Sequence, residues 1–269
     1  MGNVQSSFHV QRHMTTMLGD LIGRGAIVYI DDIILYTSSV AEMQARIREM
    51  MTRLAEWNFF LKAPKCIIGM PELTILGHVL SRDGRRMAND RIAQVSNIEY
   101  PRTPKQLRSA LGETNFMRDY IPDYSTIVKP LTSIVNGTAK ELRLVEAMQA
   151  WKTLMDAIRD QASLYHLDYK KTVIVRVDAS IRGLGAVLIN AWTDPITVQY
   201  HERIIDCCSH TFTETEAKWK TIEQEAFAMV YALKHWYSLL YGHTFILEGD
   251  HKNLSFIHQG SSPKVVCWQ

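Results

Sequence analysis

The run Ala26-Ile27-Val28-Tyr29-Ile30-Asp31-Asp32-Ile33-Ile34-Leu35-Tyr36 sets two apolar, β-branched stretches around a pair of acids. Such a pattern predicts a hairpin with the acids at its bend and strands buried on either side. Before it, Met14, Leu18 and Leu21 fall at helical spacing. After it, Ser39-x-x-Glu42 is a capping-box pattern that opens a helix with Met43, Ile47, Met50, Met51 and Leu54 on one face. Leu61–Cys66 and Leu76–Ser81 read as short strands, with Asp83-Gly84 as a turn. Thr103-Pro104-Lys105-Gln106 starts another helix, with Thr103 as cap, Pro104 in the first turn and Gln106 closing the capping box.

Asn136 to Lys140 is a polar linker, followed by Leu144, Met148, Trp151, Leu154, Met155 and Ile158 at helical spacing. The pattern then turns to β. Thr172–Asp178 is a strand ending in an acid, and Ala179-Ser180 with Gly183-Leu184-Gly185 lead into a second strand over Ala186–Ile189. A long helix from about Thr215 to Leu240 repeats Glu225, Met229, Ala232 and Trp236 on one face. Phe245–Asp250 is a further strand ending in an acid.

At 269 residues the chain is long enough for two or three modules. Thirty Lys and Arg stand against 28 Asp and Glu, so any basic footprint for nucleic acid must be local. Cys66, Cys207, Cys208 and Cys267 lack metal-ligand spacing and read as reduced thiols of an intracellular protein, cytoplasmic or nuclear. No signal peptide opens the chain, and no apolar run is long enough to span a bilayer.

Two constellations carry candidate chemistry. Adjacent carboxylates in an apolar setting repel each other and lose solvation, a cost that a divalent cation removes. An all-oxygen donor set suits Mg²⁺ or Mn²⁺ with a phosphate-bearing substrate. Asp-Asp is also a common solvated turn dipeptide. In the second constellation Glu225 stands among core-facing positions, which is unusual for a carboxylate unless it is paired or bound to metal. A strand-end Asp, a helix Glu and a second strand-end Asp suit two-metal phosphodiester hydrolysis. Any one of these acids alone reads better as a cap or a surface group.

Tyr29-Ile30-Asp31-Asp32, within Val28–Ser39, resembles the Tyr-x-Asp-Asp box of gypsy-type LTR retrotransposon reverse transcriptases. Gln11, Arg12 and Met14 match the family's preceding stretch, with Ser7 for the usual Pro and Val10 for the usual Phe. Leu61-Lys62-Ala63-Pro64-Lys65-Cys66 and Leu76-Gly77-His78-Val79-Leu80-Ser81 resemble the next two motifs, and Leu107–Gly112, Asn115–Ile121, Tyr124–Ile127 and Pro130-Leu131-Thr132 those of the helical thumb. Val177-Asp178-Ala179-Ser180 with Gly183–Leu188, Glu223-Gln224-Glu225, Trp236–Gly242 and Asp250-His251-Lys252-Asn253-Leu254 are similar to the retroelement ribonuclease H domain; Ser209-His210 replaces the usual Ser-Arg.

The resemblance implies an α/β (α+β) fold: a partial right-hand polymerase palm over 1–95 without its fingers, a helical thumb or connection over 96–160, and a ribonuclease-H-like mixed sheet with helices over 161–269, truncated at its end. It implies that Asp31, Asp32, Asp178, Glu225 and Asp250 are catalytic and hold Mg²⁺ (or Mn²⁺), and that Lys62, Lys65, Gly77, His78, Lys105, Arg108 and Arg118 contact nucleic acid. The implied partners are RNA template, DNA primer, RNA–DNA hybrid, deoxynucleoside triphosphates and other Pol segments such as protease and integrase, with no membrane. The family's first palm Asp lies before this chain's start and its fourth ribonuclease H acid after its end. The expectation is therefore a reverse transcriptase/ribonuclease H segment with impaired polymerisation. The alternative is a non-catalytic, retroelement-derived relic that at most binds nucleic acid.

Overall fold

The computed structural model describes residues 4–137, 145–161 and 163–249. The chain packs as two compact units, residues 1–69 and 70–269.

In the first unit, helix α1 (Val4–Leu18) runs into a 3₁₀ turn, and strands β1 (Ala26–Tyr29) and β2 (Asp32–Leu35) form an antiparallel pair with Tyr29 opposite Asp32. Helix α2 (Val40–Glu56) follows. Ser39 caps it as expected, with the Glu42 amide donating to Ser39 Oγ at 3.2 Å, but the reciprocal half of the box does not close: the Glu42 carboxylate accepts from the Ser38 amide at 3.4 Å instead of that of Ser39. Met14, Met17, Leu18 and Leu21 pack against Ala26, Met50 and Leu54.

The hairpin is buried on one face only, not on both. Val28, Ile33 and Leu35 turn inward, whereas Ile27 and Tyr29 are nearly half exposed. A two-stranded ribbon has a single helical layer to bury against, so alternate residues must face out. Met51 is likewise exposed, because the buried stripe of α2 runs through Met50 and Leu54. Leu61–Cys66 is not a strand but an irregular segment around a 3₁₀ turn at Ala63–Lys65. Pro64 has no amide to give a ladder.

In the second unit, β3 (Glu72–Ile75), β4 (His78–Ser81) and β5 (Gly84–Met87) form a meander, and the short β6 (Leu164–Tyr165) adds to β5. A Cβ at Gly84 would lie 2.0 Å from the Leu164 carbonyl oxygen, so this pairing requires glycine. Helices α3 (Asn89–Ser96), α4 (Pro104–Thr114), α5 (Tyr124–Val135) and α6 (Val145–Arg159) enclose Leu107, Met117, Tyr120, Leu131, Leu154 and Ile158. The Thr103 capping box forms in full, with the Gln106 amide on Thr103 Oγ1 at 3.2 Å and the Gln106 side chain taking the Thr103 amide at 3.2 Å. Most of the expected polar linker and Leu144 lie outside the described residues.

The second sheet runs β10-β7-β8-β9, from β7 (Thr172–Ser180), β8 (Gly183–Thr193), β9 (Tyr200–Thr211) and β10 (Ile246–Glu248). β10 lies parallel to β7 and the other pairs are antiparallel. A bulge beside Leu188/Ile189 gives β9 one extra residue near Ile205. The next residue, Asp206, takes Arg85 Nη2 at 2.8 Å and the Trp236 indole N–H at 3.0 Å.

Helix α7 (Thr221–His235) covers the face bearing Val173, Val175, Val177, Ala186 and Leu188. The expected single helix over 215–240 is instead a 3₁₀ turn at Glu216–Lys218, α7, and a short α8 (Tyr237–Leu240). The sequence carries two start signals in succession. Glu216 takes the Thr213 amide at 2.7 Å, and Glu223 takes the Lys220 amide at 3.0 Å, so the chain begins a helix twice. Among the described residues no helix is long and apolar enough to cross a membrane.

Candidate active-site and nucleic-acid surface

Asp31 and Asp32 stand exposed at the tip of the β1–β2 hairpin. The tip is a tight turn in which Ile30 adopts φ 56°, an outlier for a β-branched residue. Gln11 of α1 holds it: its side-chain oxygen accepts from the Ile30 amide, and its amide group reaches the Val28 carbonyl at 3.4 Å. Removing that clamp frees a strained turn, so Gln11→Ala should cost about 1–2 kcal/mol. Chemical denaturation of wild type against variant, with an unchanged midpoint refuting the clamp, measures it. Lys62 and Lys65 are exposed beside the 3₁₀ turn of the same unit.

In the second unit, Gly77 has φ 81°, and its carbonyl accepts from Ala88 at 2.9 Å. His78 Nδ1 shares a hydrogen bond of 2.7 Å with the Tyr120 hydroxyl and packs against the exposed Phe116 ring. Burial, then the Arg85 guanidinium, push His78 below the usual imidazole range, with Asp119 opposing, so its ring is neutral at pH 7. Lys105 is exposed on the first turn of α4. The Arg108 guanidinium donates to the Val135 carbonyl at 3.1 Å. Arg118 is committed within the chain: it donates to the Ser209 carbonyl at 2.7 Å and lies 3.9 Å from Asp119. Ser209 also accepts from the Ser125 amide and hydroxyl, so Arg118 and Ser125 together fasten the α4–α5 segment to β9. His210 pairs with Glu216 at 3.1 Å among Phe212, Phe227 and Tyr231.

Asp178 is exposed near the end of β7, opposite Gly185 of β8. Glu225 is 1% exposed on the second turn of α7, beside Ala226 and Ala228. Residues near each of them border the chain that leads to the third acid. A Cβ at Gly249 would lie 3.0 Å from Met229, one turn after Glu225, and 3.6 Å from Val177, the neighbour of Asp178. The β10 register runs to Glu248 opposite Arg176, each two residues short of Asp250 and Asp178 in sequence. Asp250 itself lies outside the described residues, as does Cys267.

Sequence reasoning missed Asp123. It precedes α5 in a left-handed conformation, φ 56°, and its carboxylate occupies the space that a side chain at Gly185 would fill. Burial, and then Asp178, push its carboxyl above the usual range. The Asp-Tyr-Ser start of α5 hints at a cap, but nothing local signals a neighbour more than fifty residues on. Cys207 and Cys208 are free, buried thiols pushed up to about 12, first of all by burial.

The donor chemistry of Asp178 and Glu225 fits a hard divalent cation, being carboxylate oxygen only. Among the described residues no group of three or more His, Cys, Asp or Glu side chains is gathered closely enough to hold a metal.

Comparison with known proteins agrees with this arrangement. Residues 1–80 match the family model for reverse transcriptase (RNA-dependent DNA polymerase), and residues 168–269 match that for the RNase H-like domain found in reverse transcriptase. The retrovirus-related Pol polyprotein from transposon 297 of Drosophila melanogaster is 32% identical over 96% of this chain, which spans 24% of that polyprotein. Among solved structures, a foamy viral protease-reverse transcriptase in complex with RNA/DNA hybrid is similar over 96% of this chain and 35% of its own, at 25% identity and TM-score 0.73. A foamy viral protease-reverse transcriptase dRH in complex with ds DNA shares the fold over 97% of this chain and 46% of its own, at 24% identity and TM-score 0.79. The chain belongs to the retrotransposon Pol family, with a reverse transcriptase segment followed by an RNase H-like domain.

Proposed function

We propose that the second unit cleaves the RNA strand of an RNA–DNA hybrid, with Asp178, Glu225 and Asp250 holding Mg²⁺ or Mn²⁺. The observation that carries this reading is the passage of Gly249 over Val177 and Met229, next to Asp178 and one turn from Glu225. A bound metal pair supplies an activated water and charge stabilisation at the leaving 3′ oxygen. The chain's own contribution is to hold Glu225 out of bulk water while Asp178 meets the substrate at the surface.

DNA synthesis on RNA or DNA templates from deoxynucleoside triphosphates is the companion activity, with Asp31 and Asp32 at the palm hairpin and Gln11 fixing the tip. Residues 1–95 serve as palm, 96–160 as thumb and 161–269 as ribonuclease H, working beside the other Pol segments. Lys62 and Lys65 of the first unit contact nucleic acid, as do Gly77, His78, Lys105 and Arg108 of the second. Arg118 serves it indirectly, by fastening the thumb to β9.

The test is cleavage of an end-labelled RNA–DNA hybrid by the purified chain with Mg²⁺ or Mn²⁺, beside Asp178→Asn. Cleavage that disappears in the variant is expected. A folded, inactive wild type that still binds hybrid would favour the non-catalytic relic.

A further inference from the structure

Strand β10 is three residues long, and Asp250 follows it two residues on. It pairs with β7 through Ile246, Leu247 and Glu248, opposite Ile174, Val175 and Arg176. Ile246 and Leu247 are exposed, so their side chains bury little to hold the strand in place. An edge strand this short, with exposed side chains, sits at the low end of local stability. Glu248 supplies a further tie: its carboxylate accepts from Arg176 Nε at 2.8 Å. The other two nitrogens of the same guanidinium grip Glu202 of β9 as a fork, Nη1 at 3.0 Å and Nη2 at 2.9 Å. Glu202 is steadied in turn by the Tyr200 hydroxyl, which donates to it at 2.9 Å. In the strand order β10-β7-β8-β9, one side chain of β7 thus joins the two outer strands.

On charge alone Arg176 is badly placed. Val173, Val175 and Val177 face α7, so Arg176 and Asp178 share the opposite face. Two residues of strand put them about 7 Å apart. A fixed cation at that range opposes a divalent metal held by Asp178. Its two carboxylate partners offset the charge, and engaging both at once uses all three guanidinium nitrogens, a geometry that a lysine cannot reproduce.

We propose that Arg176 is a positioning residue for hybrid cleavage: by clamping Glu248 and Glu202 together it holds β10 on β7, and so delivers the segment bearing Asp250 to Asp178. The inference rests on the hybrid-cleavage reading above. In this role Arg176 touches neither metal nor substrate.

The test uses the full chain without substrate and reads two quantities. One is Mn²⁺ binding, followed by the electron paramagnetic resonance signal of the free ion and counted as the binding that Asp178→Asn removes. The other is amide hydrogen exchange over residues 246–248. Arg176→Met keeps the length of the side chain and removes its charge and donors. If Arg176 acted through charge alone, its loss would tighten Mn²⁺ binding. The clamp gives the opposite sign: Mn²⁺ binding should weaken on the order of tenfold, as when a partner outside the metal's own ligands is lost. The amides of β10 should exchange faster, with those of β8 unchanged. If Arg176→Met melts early, Arg176→Lys decides, because it keeps the cation and loses the fork. Faster β10 exchange with weaker Mn²⁺ binding in that folded variant supports the clamp, and wild-type values of both overturn it. Unchanged or tighter Mn²⁺ binding in a folded Arg176→Met overturns the clamp and leaves the cleavage reading standing. A folded wild type with no Mn²⁺ binding that depends on Asp178 overturns both.

Discussion

Glu225→Gln is expected to abolish hybrid cleavage, by a factor on the order of a thousand or more, while leaving the chain folded. The side chain is 1% exposed, in a helix whose other buried residues are Gln224, Ala226, Ala228 and Ala232. Glutamine has nearly the same shape and keeps the packing, but cannot serve as an anionic metal ligand. The variant should keep its fold, and substrate binding in EDTA should be unchanged. Single-turnover cleavage with Mn²⁺, followed beside a thermal melt, separates the outcomes. Activity within tenfold of wild type would remove Glu225 from the site. Lost activity with an early melt would mean that the carboxylate is structural.

Gly84→Ala is expected to give the largest loss of stability of any single methyl addition in the second unit. Its Cβ would stand 2.0 Å from the Leu164 carbonyl oxygen and 2.8 Å from the Tyr165 Cα, and both neighbours are backbone. No rotamer change relieves such a clash, so the two strands must separate. Pairing of Gly84 with Tyr165 is half of the short β5–β6 register, and Arg85, beside it, reaches Asp206 of β9. Overpacking of this kind costs about 1–3 kcal/mol, and losing the attached Arg85–Asp206 bond adds about 1 kcal/mol. Urea unfolding should show a lower midpoint. Gly112→Ala, on an exposed helical position where an added Cβ meets nothing within 4 Å, should be neutral or stabilising and is the matched control.

Local signals were legible wherever one element carries them. The Ser39 cap, the Thr103 capping box, the acid-tipped hairpin and the strand that carries Asp178 needed only neighbours a few residues apart. The ordered motifs pointed to the family, and the matched segments bear that out. Features set by distant partners were not legible. β9 went unread because Glu202, Arg203 and Asp206 break any simple alternation; they are placed by Arg176, Tyr165 and Arg85 from other elements. Arg118 read as a phosphate ligand because its nearest sequence neighbours give no hint of the Ser209 carbonyl that it serves. The exposed outer face of the hairpin was overlooked because apolar runs alone do not say how many layers will cover them.

The parallel seam between β7 and β10 also bears on the order of folding. Its partners, Ile174 and Ile246, are some seventy residues apart, whereas β7 and β8 meet through a two-residue loop. Closing a long loop for only three residues of pairing is entropically expensive, so this edge should join last. Asp178 would then be in position early, on a preformed hairpin, and the segment leading to Asp250 would arrive in the final step. During refolding, competence for metal-dependent cleavage should lag behind the recovery of bulk secondary structure, and the lag should shorten in any variant that strengthens β10.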